Sequence, residues 1–218
     1  GAGTHVFEEL VINEPLTLGP EDVNVQVIVS PAEHGTATFQ LFSQEAATLH
    51  SPNQWREHAV GILRSSPERP TAADPLDAIR ARCAEPQPLD NYYEAMLADG
   101  HGYGPAFQGI VGLWRGQLEA LGRVELPDLV KGDASAYRLH PVLLDASIQL
   151  LSAGVPDELK GKATGETFLP VSLGRFRVYL EGADRAWCHV RLRDLEPDGF
   201  VCDVRLYDDA GRRSEEHT

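Results

Sequence analysis

The sequence predicts an α+β fold made of two copies of one unit. Both halves of the chain show the order strand, strand, turn, strand at similar lengths. In each half the strands alternate apolar and polar residues, as expected for a sheet with one buried face. An apolar helix, Pro141–Ala153, precedes the strands of the second half. We expect one unit over residues 1–85, which includes a linker, and another over residues 86–218.

In the first half, valine occupies every second position of Val23–Val29, which predicts a strand with one buried face. The other strands predicted for this half are Leu10–Leu18, Thr36–Ser43 and Trp55–Leu63, with a turn at Pro31–Gly35. Only Gly1-Ala2-Gly3 precedes Thr4, so we expect the first unit to lack the helix that the second contains.

The segment Ser66–Asp90 contains five prolines and predicts a linker with a short helix at Leu76–Cys83. A further helix is predicted at Asn91–Asp99, ended by Gly100. The strands predicted for the second half are Phe168–Leu180, Ala186–Leu192 and Phe200–Tyr207, with a turn at Glu196–Gly199. The last residues, Gly211–Thr218, do not fit the final strand that we expect there.

The chain is acidic, with 33 Asp and Glu residues against 19 Lys and Arg residues and a net charge of -14. An acidic surface repels phosphate backbones, which argues against nucleic-acid binding. An acidic protein partner would need a local basic patch, for which Arg175 and Arg177 are the candidates. No apolar run approaches the ~18 residues of a membrane helix and no signal peptide opens the sequence, so we expect a cytoplasmic protein without a membrane segment.

The spacings of Cys83, Cys188 and Cys202 match no zinc motif, and their odd number argues against a disulfide framework. The eight histidines are scattered, and no two form an HExxH pair. We therefore expect a reducing compartment and no metal site.

The helix that begins at Pro141 carries the most informative residue, Asp145. Apolar residues cover nearly every side of this helix, which predicts that it is buried. A buried carboxylate must be paired or neutral. Gln149 lies one turn later on the same face and can hold the Asp145 carboxyl in place. The alternative is that Asp145 only favours the start of the helix through the helix dipole.

The segment Gly100–Gly109 reads G-H-G-Y-G-P-A-F-Q-G. Four glycines and a proline predict an unusual backbone path, along which Tyr103 and Phe107 are the aromatic residues. Its composition alone favours a plain turn between a helix and a strand.

Four segments together resemble the dehydratase domains of modular polyketide synthases. Gly100–Gln108 resembles the motif G-Y-x-Y-G-P-x-F-Q, and Leu139–Gln149 resembles L-H-P-x-x-L-D-A-x-x-Q. Leu169–Ser172 resembles L-P-x-S, and Trp55–Leu63 resembles W-x-x-H-A-x-G-x-L. The order and spacing of the four segments agree with the family.

The resemblance implies a double hotdog fold, in which each of two antiparallel sheets wraps around a buried helix. It implies removal of water from a β-hydroxyacyl chain to give an α,β-unsaturated thioester. The acyl chain of the substrate would be carried on the phosphopantetheine arm of an acyl carrier protein. No metal or organic cofactor would be needed. The implied partners are the acyl carrier protein and the other domains of a polyketide synthase module, and the implied assembly is a homodimer.

The resemblance also implies roles for single residues. Asp145 would protonate the departing hydroxyl, and Gln149 would orient the Asp145 carboxyl. Tyr103 would hydrogen-bond the β-hydroxyl. The other implied orienting or substrate-binding residues are Gly104, Pro105, Phe107, His140 and Pro141. Of these, Pro105, Phe107 and Pro141 would shape an acyl tunnel, and His140 is usually structural.

The sequence departs from the family at its histidines. The catalytic histidine of the family belongs to an H-x-x-x-G-x-x-x-x-P motif, which these 218 residues do not contain. His101 stands where the first tyrosine of the tyrosine motif usually is. We expect none of His58, His101 and His140 to replace the missing base.

Two alternatives to simple dehydration stay open. Some domains of the same fold add an internal hydroxyl to the new double bond and form a cyclic ether. Retention of Asp145 favours dehydration, and a bifunctional domain remains compatible with it. A non-catalytic scaffold or thioester-binding fragment is the second alternative, which the missing histidine motif favours.

Overall fold

A computed structural model describes residues 5–20, 22–31, 34–45, 55–66, 74–98, 100–156, 169–179, 182–196 and 199–217. The chain forms two compact units, Gly1–Glu68 with Leu169–Arg177, and Arg69–Phe168 with Val178–Thr218. This division departs from the predicted boundary after residue 85 in two places. Most of the predicted linker belongs to the second unit. Residues 169–177 belong to the first unit, because their strand pairs with the first strand of the chain.

The first unit is an antiparallel sheet. Its strands are β1 (His5–Ile12), β2 (Val23–Val29), β3 (Thr36–Glu45), β4 (Arg56–Ser65) and β8 (Ser172–Val178), in the spatial order β2-β3-β4-β1-β8. The bounds of β2 agree with the prediction. The expectation that one face of this strand is buried is wrong, because β2 lies at the edge of the sheet and exposes Val25, Val27 and Val29. No helix lies among the described residues of this unit.

The prediction of the first strand is wrong by several residues, because β1 covers His5–Ile12 instead of Leu10–Leu18. A bulge interrupts the pairing of β1 with β4 between Glu8 and Val11, and Glu9 has a positive φ of 51°. The bulge disturbs the alternation of apolar and polar residues on which the prediction relied. Further along, Pro15 has no backbone N–H for a strand ladder.

The second unit is an antiparallel sheet with helices. Its strands are β5 (Glu85–Pro86), β6 (Ile110–Gly116), β7 (Glu119–Glu125), β9 (Arg185–Glu196), β10 (Gly199–Tyr207) and β11 (Arg213–His217), in the spatial order β11-β10-β9-β7-β6-β5. The existence of β11, paired with β10, corrects the expectation that the last residues form no strand. The predicted turn at Glu196–Gly199 lies partly outside the described residues.

The hairpin of β6 and β7 was not predicted. Its turn contains Gln117 and Leu118, and Leu118 has a positive φ of 58° although it is not one of the usual turn residues. In β7 the four residues Glu119–Gly122 are all buried. Both faces of this strand are therefore covered, and no alternation marks it in the sequence.

The described helices are α1 (Leu76–Arg82), α2 (Tyr92–Ala98), α3 (Pro141–Gln149) and α4 (Leu151–Gly154). Both α1 and α2 lie within one or two residues of their predicted bounds. The predicted helix Pro141–Ala153 is divided at Leu150 into α3 and the single turn α4. None of the helices in the described ranges is long and apolar enough to cross a membrane.

One side of α3 packs against β7 and β9. Val142, Leu143 and Ala146 of this side are at most 3% exposed and belong to the core of the second unit. Leu144 and Asp145 are only half-buried. The expectation of burial on every side is therefore corrected, because the sheet covers one side of the helix.

Arg177 does not contribute to a basic surface patch. It is 1% exposed, and its Nη2 donates a hydrogen bond to the carbonyl oxygen of Ser66 at 2.9 Å. A buried guanidinium needs such partners. This corrects the expectation for Arg177, whereas Arg175 is half-buried.

Candidate active site

Asp145 is held by its neighbour on α3. Gln149 Nε2 donates a hydrogen bond to Asp145 Oδ2 at 2.7 Å, as the spacing of one helical turn predicts. Burial raises the pKa of Asp145, and the hydrogen bond from Gln149 opposes part of that increase. The site therefore contains an oriented carboxyl group that gains its proton more readily than an exposed aspartate.

The glycine-rich segment passes close to α3. Gly104 is extended, and Pro105–Phe107 form a short 3-10 turn. The carbonyl oxygen of Phe107 accepts a second hydrogen bond from Gln149 Nε2, at 3.0 Å. A Cβ atom at Gly109 would lie 3.3 Å from the Cβ of Ala146, so glycine allows this close approach. Gln149 thus joins the segment to Asp145.

Three rings lie together on and beside this segment. The His101 and Tyr103 rings are nearly parallel, 5° apart, with centroids at 6.3 Å, and Tyr93 meets Tyr103 edge-on at 6.3 Å. Burial raises the pKa of Tyr103, and the negative charge of Asp145 raises it further. Tyr103 therefore keeps its phenol proton at neutral pH and can act as a hydrogen-bond donor near Asp145.

Two tyrosines of α2 support the site and were not singled out in the sequence. The Tyr93 hydroxyl accepts a hydrogen bond from the Ile110 N–H at 3.0 Å, and burial is the main reason that its pKa rises to about 12. The Tyr92 hydroxyl donates to the carbonyl oxygen of Gln149 at 3.1 Å. Their signal in the sequence is only a pair of adjacent aromatic residues at the start of a predicted helix, which is not a distinctive pattern.

His140 and Pro141 begin α3. His140 Nδ1 accepts a hydrogen bond from the Val142 N–H at 3.2 Å and so caps the helix, while Pro141 occupies the first helical position. The His140 ring also meets the Tyr137 ring at 4.8 Å. His140 therefore caps the helix, and its implied place among the orienting or substrate-binding residues stays a prediction.

The other two candidate histidines are engaged differently. In the first unit, His58 Nε2 lies 2.6 Å from Ser43 Oγ and His58 Nδ1 lies 3.1 Å from the carbonyl oxygen of Glu14. His101 stacks with Tyr103 in the second unit. Within the described parts of the chain, none of His58, His101 and His140 hydrogen-bonds a carboxylate.

The cavities found beside α1 do not include Asp145. One is lined by Pro75, Leu76, Asp77, Arg80, Asp209, Ala210 and Gly211, and the other by Arg80, Cys83, Ala84, Trp114, Leu121 and Trp187. Pro105 and Pro141 are exposed, and Phe107 is 41% exposed. Their role in shaping an acyl tunnel stays a prediction.

One cluster among the described residues combines side chains that ligate metals, namely Cys83, Glu119 and His189. It contains none of the predicted site residues. The three positions are far apart in the sequence, which explains why motif spacing did not indicate them.

Sequence comparisons identify relatives of this chain. The family model described as "Polyketide synthase dehydratase N-terminal domain" matches residues 71–216. The chain is 36% identical over 199 residues to the pikromycin polyketide synthase component PikAII of Streptomyces venezuelae, covering 90% of this chain and 5% of that protein. It is 33% identical over 164 residues to erythronolide synthase EryA2 of Saccharopolyspora erythraea, covering 73% of this chain and 4% of that protein. The chain therefore spans a small part of these relatives.

Solved structures show the same fold. The dehydratase domain from the CurF module of curacin polyketide synthase matches with a TM-score of 0.86 and 30% identity, covering 100% of this chain and 74% of that chain. The domain from the CurK module matches with a TM-score of 0.85 and 26% identity, covering 99% of this chain and 72% of that chain. Two CurK structures are inactive mutants, one with an aspartate replaced by asparagine and one with a histidine replaced by phenylalanine.

These similarities confirm the predicted α+β double hotdog fold. The family model covers well over half of the sequence, and the structural matches cover nearly all of it. The chain belongs to the polyketide synthase dehydratase family.

Proposed function

We propose that this chain provides the acid for dehydration of a β-hydroxyacyl thioester carried on an acyl carrier protein. The observation that carries the proposal is the half-buried Asp145 carboxyl, held by Gln149 at 2.7 Å. A general acid works best when its pKa lies near the working pH. Burial raises the pKa of Asp145 and so moves it in that direction.

The elimination needs one proton removed and one proton supplied. A base takes the α-proton, the electrons of the C–H bond form the double bond, and the C–O bond at the β-carbon breaks. The departing oxygen takes the proton of Asp145 and leaves as water. Since Asp145 Oδ2 accepts from Gln149, the proton belongs on Oδ1, and the hydrogen bond stabilises the carboxylate that remains.

Tyr103 would hold the substrate before the bond breaks. Its phenol keeps its proton at neutral pH, because burial and the charge of Asp145 both raise its pKa. A hydrogen bond from Tyr103 to the β-hydroxyl would position that oxygen for proton transfer from Asp145. His101 would support this tyrosine by stacking on its ring.

The base is assigned to none of the three candidate histidines. His140 caps α3, both ring nitrogens of His58 have hydrogen-bond partners, and His101 stacks on Tyr103. The inactive CurK mutants support an acid–base pair of an aspartate and a histidine in that protein. Asp145 corresponds to the acid of such a pair, and the motif that would supply the histidine is not present in these 218 residues.

The relatives are polyketide synthases many times longer than this chain, so the other domains of a synthase module are its expected partners. The acyl carrier protein would present the substrate on its phosphopantetheine arm, and no cofactor takes part in the elimination. A homodimer and a cytoplasmic location complete the proposal.

The test compares the complete wild-type protein with an Asp145→Asn variant on a β-hydroxyacyl carrier-protein substrate. Mass spectrometry of the acyl group follows the loss of water, and Asp128→Asn, at an exposed position of the same unit, is the control. We expect Asp145→Asn to slow dehydration by about 10²–10⁴-fold, the usual contribution of a general acid. The control should keep wild-type activity.

Unchanged turnover in Asp145→Asn would remove this residue from the mechanism. Absence of dehydration by the wild-type protein would favour the non-catalytic scaffold. A substrate with a distal hydroxyl separates the remaining alternative, because a cyclic ether lacks the ultraviolet absorbance of the α,β-unsaturated thioester.

A further inference from the structure

Three side chains with good metal-binding groups meet within the second unit, outside the predicted active site. Cys83 follows α1, Glu119 begins β7 and His189 lies in β9. The Cys83 sulfur, a carboxylate oxygen of Glu119 and a ring nitrogen of His189 all lie within 4.8 Å of one another. A thiolate, an imidazole and a carboxylate are ligands that zinc binds in proteins.

The cluster is buried and closely packed. Cys83 is 2% exposed, Glu119 6% and His189 1%. His189 Nε2 lies 2.8 Å from Glu119 Oε2, whereas His189 Nδ1 has no hydrogen-bond partner among the described residues. A carboxylate only accepts hydrogen bonds, so the ring proton of His189 is on Nε2, and the unpartnered Nδ1 can take up that proton if Nε2 binds a cation.

The backbone around the cluster is shaped to bring its members together. A Cβ atom at Gly116 would lie 2.9 Å from the carbonyl oxygen of Arg82 and 3.3 Å from the Cys83 sulfur. Only glycine therefore lets the β6–β7 hairpin approach the end of α1 this closely. A cavity of about 390 Å³ next to the cluster is lined in part by Cys83, Trp114 and Trp187.

Arg82 already forms ion pairs with two carboxylates. Its Nε lies 2.8 Å from Glu119 Oε1, and its Nη2 lies 2.8 Å from Asp74 Oδ2. If a cation binds the Glu119 carboxylate, Arg82 remains paired with the Asp74 carboxylate.

We propose that Cys83, Glu119 and His189 form a binding site for a thiophilic divalent cation, with Zn²⁺ as the preferred ion. Binding breaks the Cys83 S–H bond and forms a sulfur–zinc bond, and the proton passes to the solvent. Glu119 exchanges its ion pair with Arg82 for the metal. The ring proton of His189 moves from Nε2, which faces Glu119, to Nδ1, and Nε2 then binds the metal. The metal ties the end of α1 to β7 and β9, so its role is structural.

The charges of the cluster can be matched after this exchange. Glu119 carries the buried charge, with its side chain 8% exposed, whereas the side chains of Arg82 and Asp74 are 40% and 46% exposed. Arg82 and Asp74 can therefore remain an exposed ion pair. The two positive charges of the cation are then matched by the Glu119 carboxylate and the Cys83 thiolate, which avoids an uncompensated buried charge.

The test uses Co²⁺ as a spectroscopic probe, followed by displacement with Zn²⁺. Co²⁺ bound to a thiolate gives a ligand-to-metal charge-transfer band in the near ultraviolet, which reports a sulfur ligand directly. We expect this band with one Co²⁺ per chain in the complete wild-type protein, and its loss when Zn²⁺ is added. Cys83→Ser should abolish the band and weaken Zn²⁺ binding at least tenfold, while Cys202→Ser, on β10, should leave both unchanged.

His189→Asn provides a second variant and should also weaken Zn²⁺ binding while circular dichroism shows that the fold is retained. A wild-type protein that shows no charge-transfer band and binds no Zn²⁺ would overturn the proposal. Binding that persists unchanged in Cys83→Ser would overturn it as well, because the metal would then lie elsewhere. The spectroscopic test needs no dehydration assay, so its result is independent of the function proposed for Asp145.

Discussion

Gln149 lies one helical turn after Asp145 and donates from Nε2 to Asp145 Oδ2 at 2.7 Å. The same nitrogen donates to the carbonyl oxygen of Phe107 at 3.0 Å. Both neighbours are acceptors, so the amide can be oriented only with its nitrogen toward them. The side chain of Gln149, 2% exposed, therefore determines the direction of the Asp145 carboxyl.

Replacing Gln149 with leucine should raise the pKa of Asp145. The Gln149 N–H favours the ionised carboxylate, and its removal leaves the effect of burial unopposed. Titration of the Asp145 carboxyl by NMR measures the change. Gln108→Leu is the matched control, because Gln108 donates to the carbonyl oxygen of Tyr103 instead. A lower pKa of Asp145 in Gln149→Leu would contradict this explanation.

Asp145→Asn should make the folded protein more stable at neutral pH. Because the folded-state pKa of Asp145 is raised, the stability that its protonated form contributes is present below the unfolded pKa and is lost as pH rises through the folded pKa. Asparagine carries no charge and avoids this loss. Urea unfolding at neutral pH should show the gain, and the gain should shrink toward about pH 4, near the ordinary pKa of aspartate.

Asp128→Asn is the control for this measurement, since Asp128 is exposed. Its free energy of unfolding should remain within about 0.5 kcal/mol of the wild-type value. If Asp145→Asn lowered the free energy of unfolding at neutral pH, the folded state would have to stabilise the Asp145 carboxylate. That result would contradict the raised pKa on which the proposal of Asp145 as the acid depends.

The local part of the site was predictable, because a spacing of four residues on a helix brings Asp145 and Gln149 together whatever the rest of the fold does. The cap at His140 follows from local geometry in the same way. The bounds of β2 were predictable too, because its valines alternate with the period of a strand, although the buried face that this alternation predicts is absent from β2.

The long-range part of the site was not predictable from spacing. The contact of Gln149 with Phe107 joins residues 42 positions apart, and it depends on the close approach of Gly109 to α3. The β6–β7 hairpin was missed because β7 is buried on both faces and its turn contains Leu118. The cluster around Glu119 depends on that same hairpin, so neither could be inferred from motifs.

Gly122→Ala should destabilise the second unit. A Cβ atom at this position would lie 2.3 Å from Leu150 Cδ1, and Leu150 is fully buried at the end of α3. Overpacking of a core costs about 1–3 kcal/mol, which urea unfolding can measure. At Gly132, by contrast, a Cβ atom meets nothing within 4 Å, so Gly132→Ala should be neutral. Equal stabilities of the two variants would mean that Leu150 moves aside freely.

His140→Ala should reduce stability by about 0.5–2 kcal/mol, the usual cost of losing a helix cap. The variant leaves the Val142 N–H without its acceptor at 3.2 Å. His140→Asn is the informative comparison, because asparagine caps helices well but lacks the ring that packs against Tyr137. Urea unfolding of both variants separates the cap from the ring.

The same pair of variants tests how His140 influences the chemistry. The cap sets the start of α3, and Asp145 lies one turn further along the helix. If His140 acts only through the helix, His140→Asn should recover both stability and dehydration relative to His140→Ala. Recovered stability without recovered dehydration would instead mean that the imidazole itself takes part in the reaction, since an asparagine cap restores the helix but cannot exchange a proton near neutral pH.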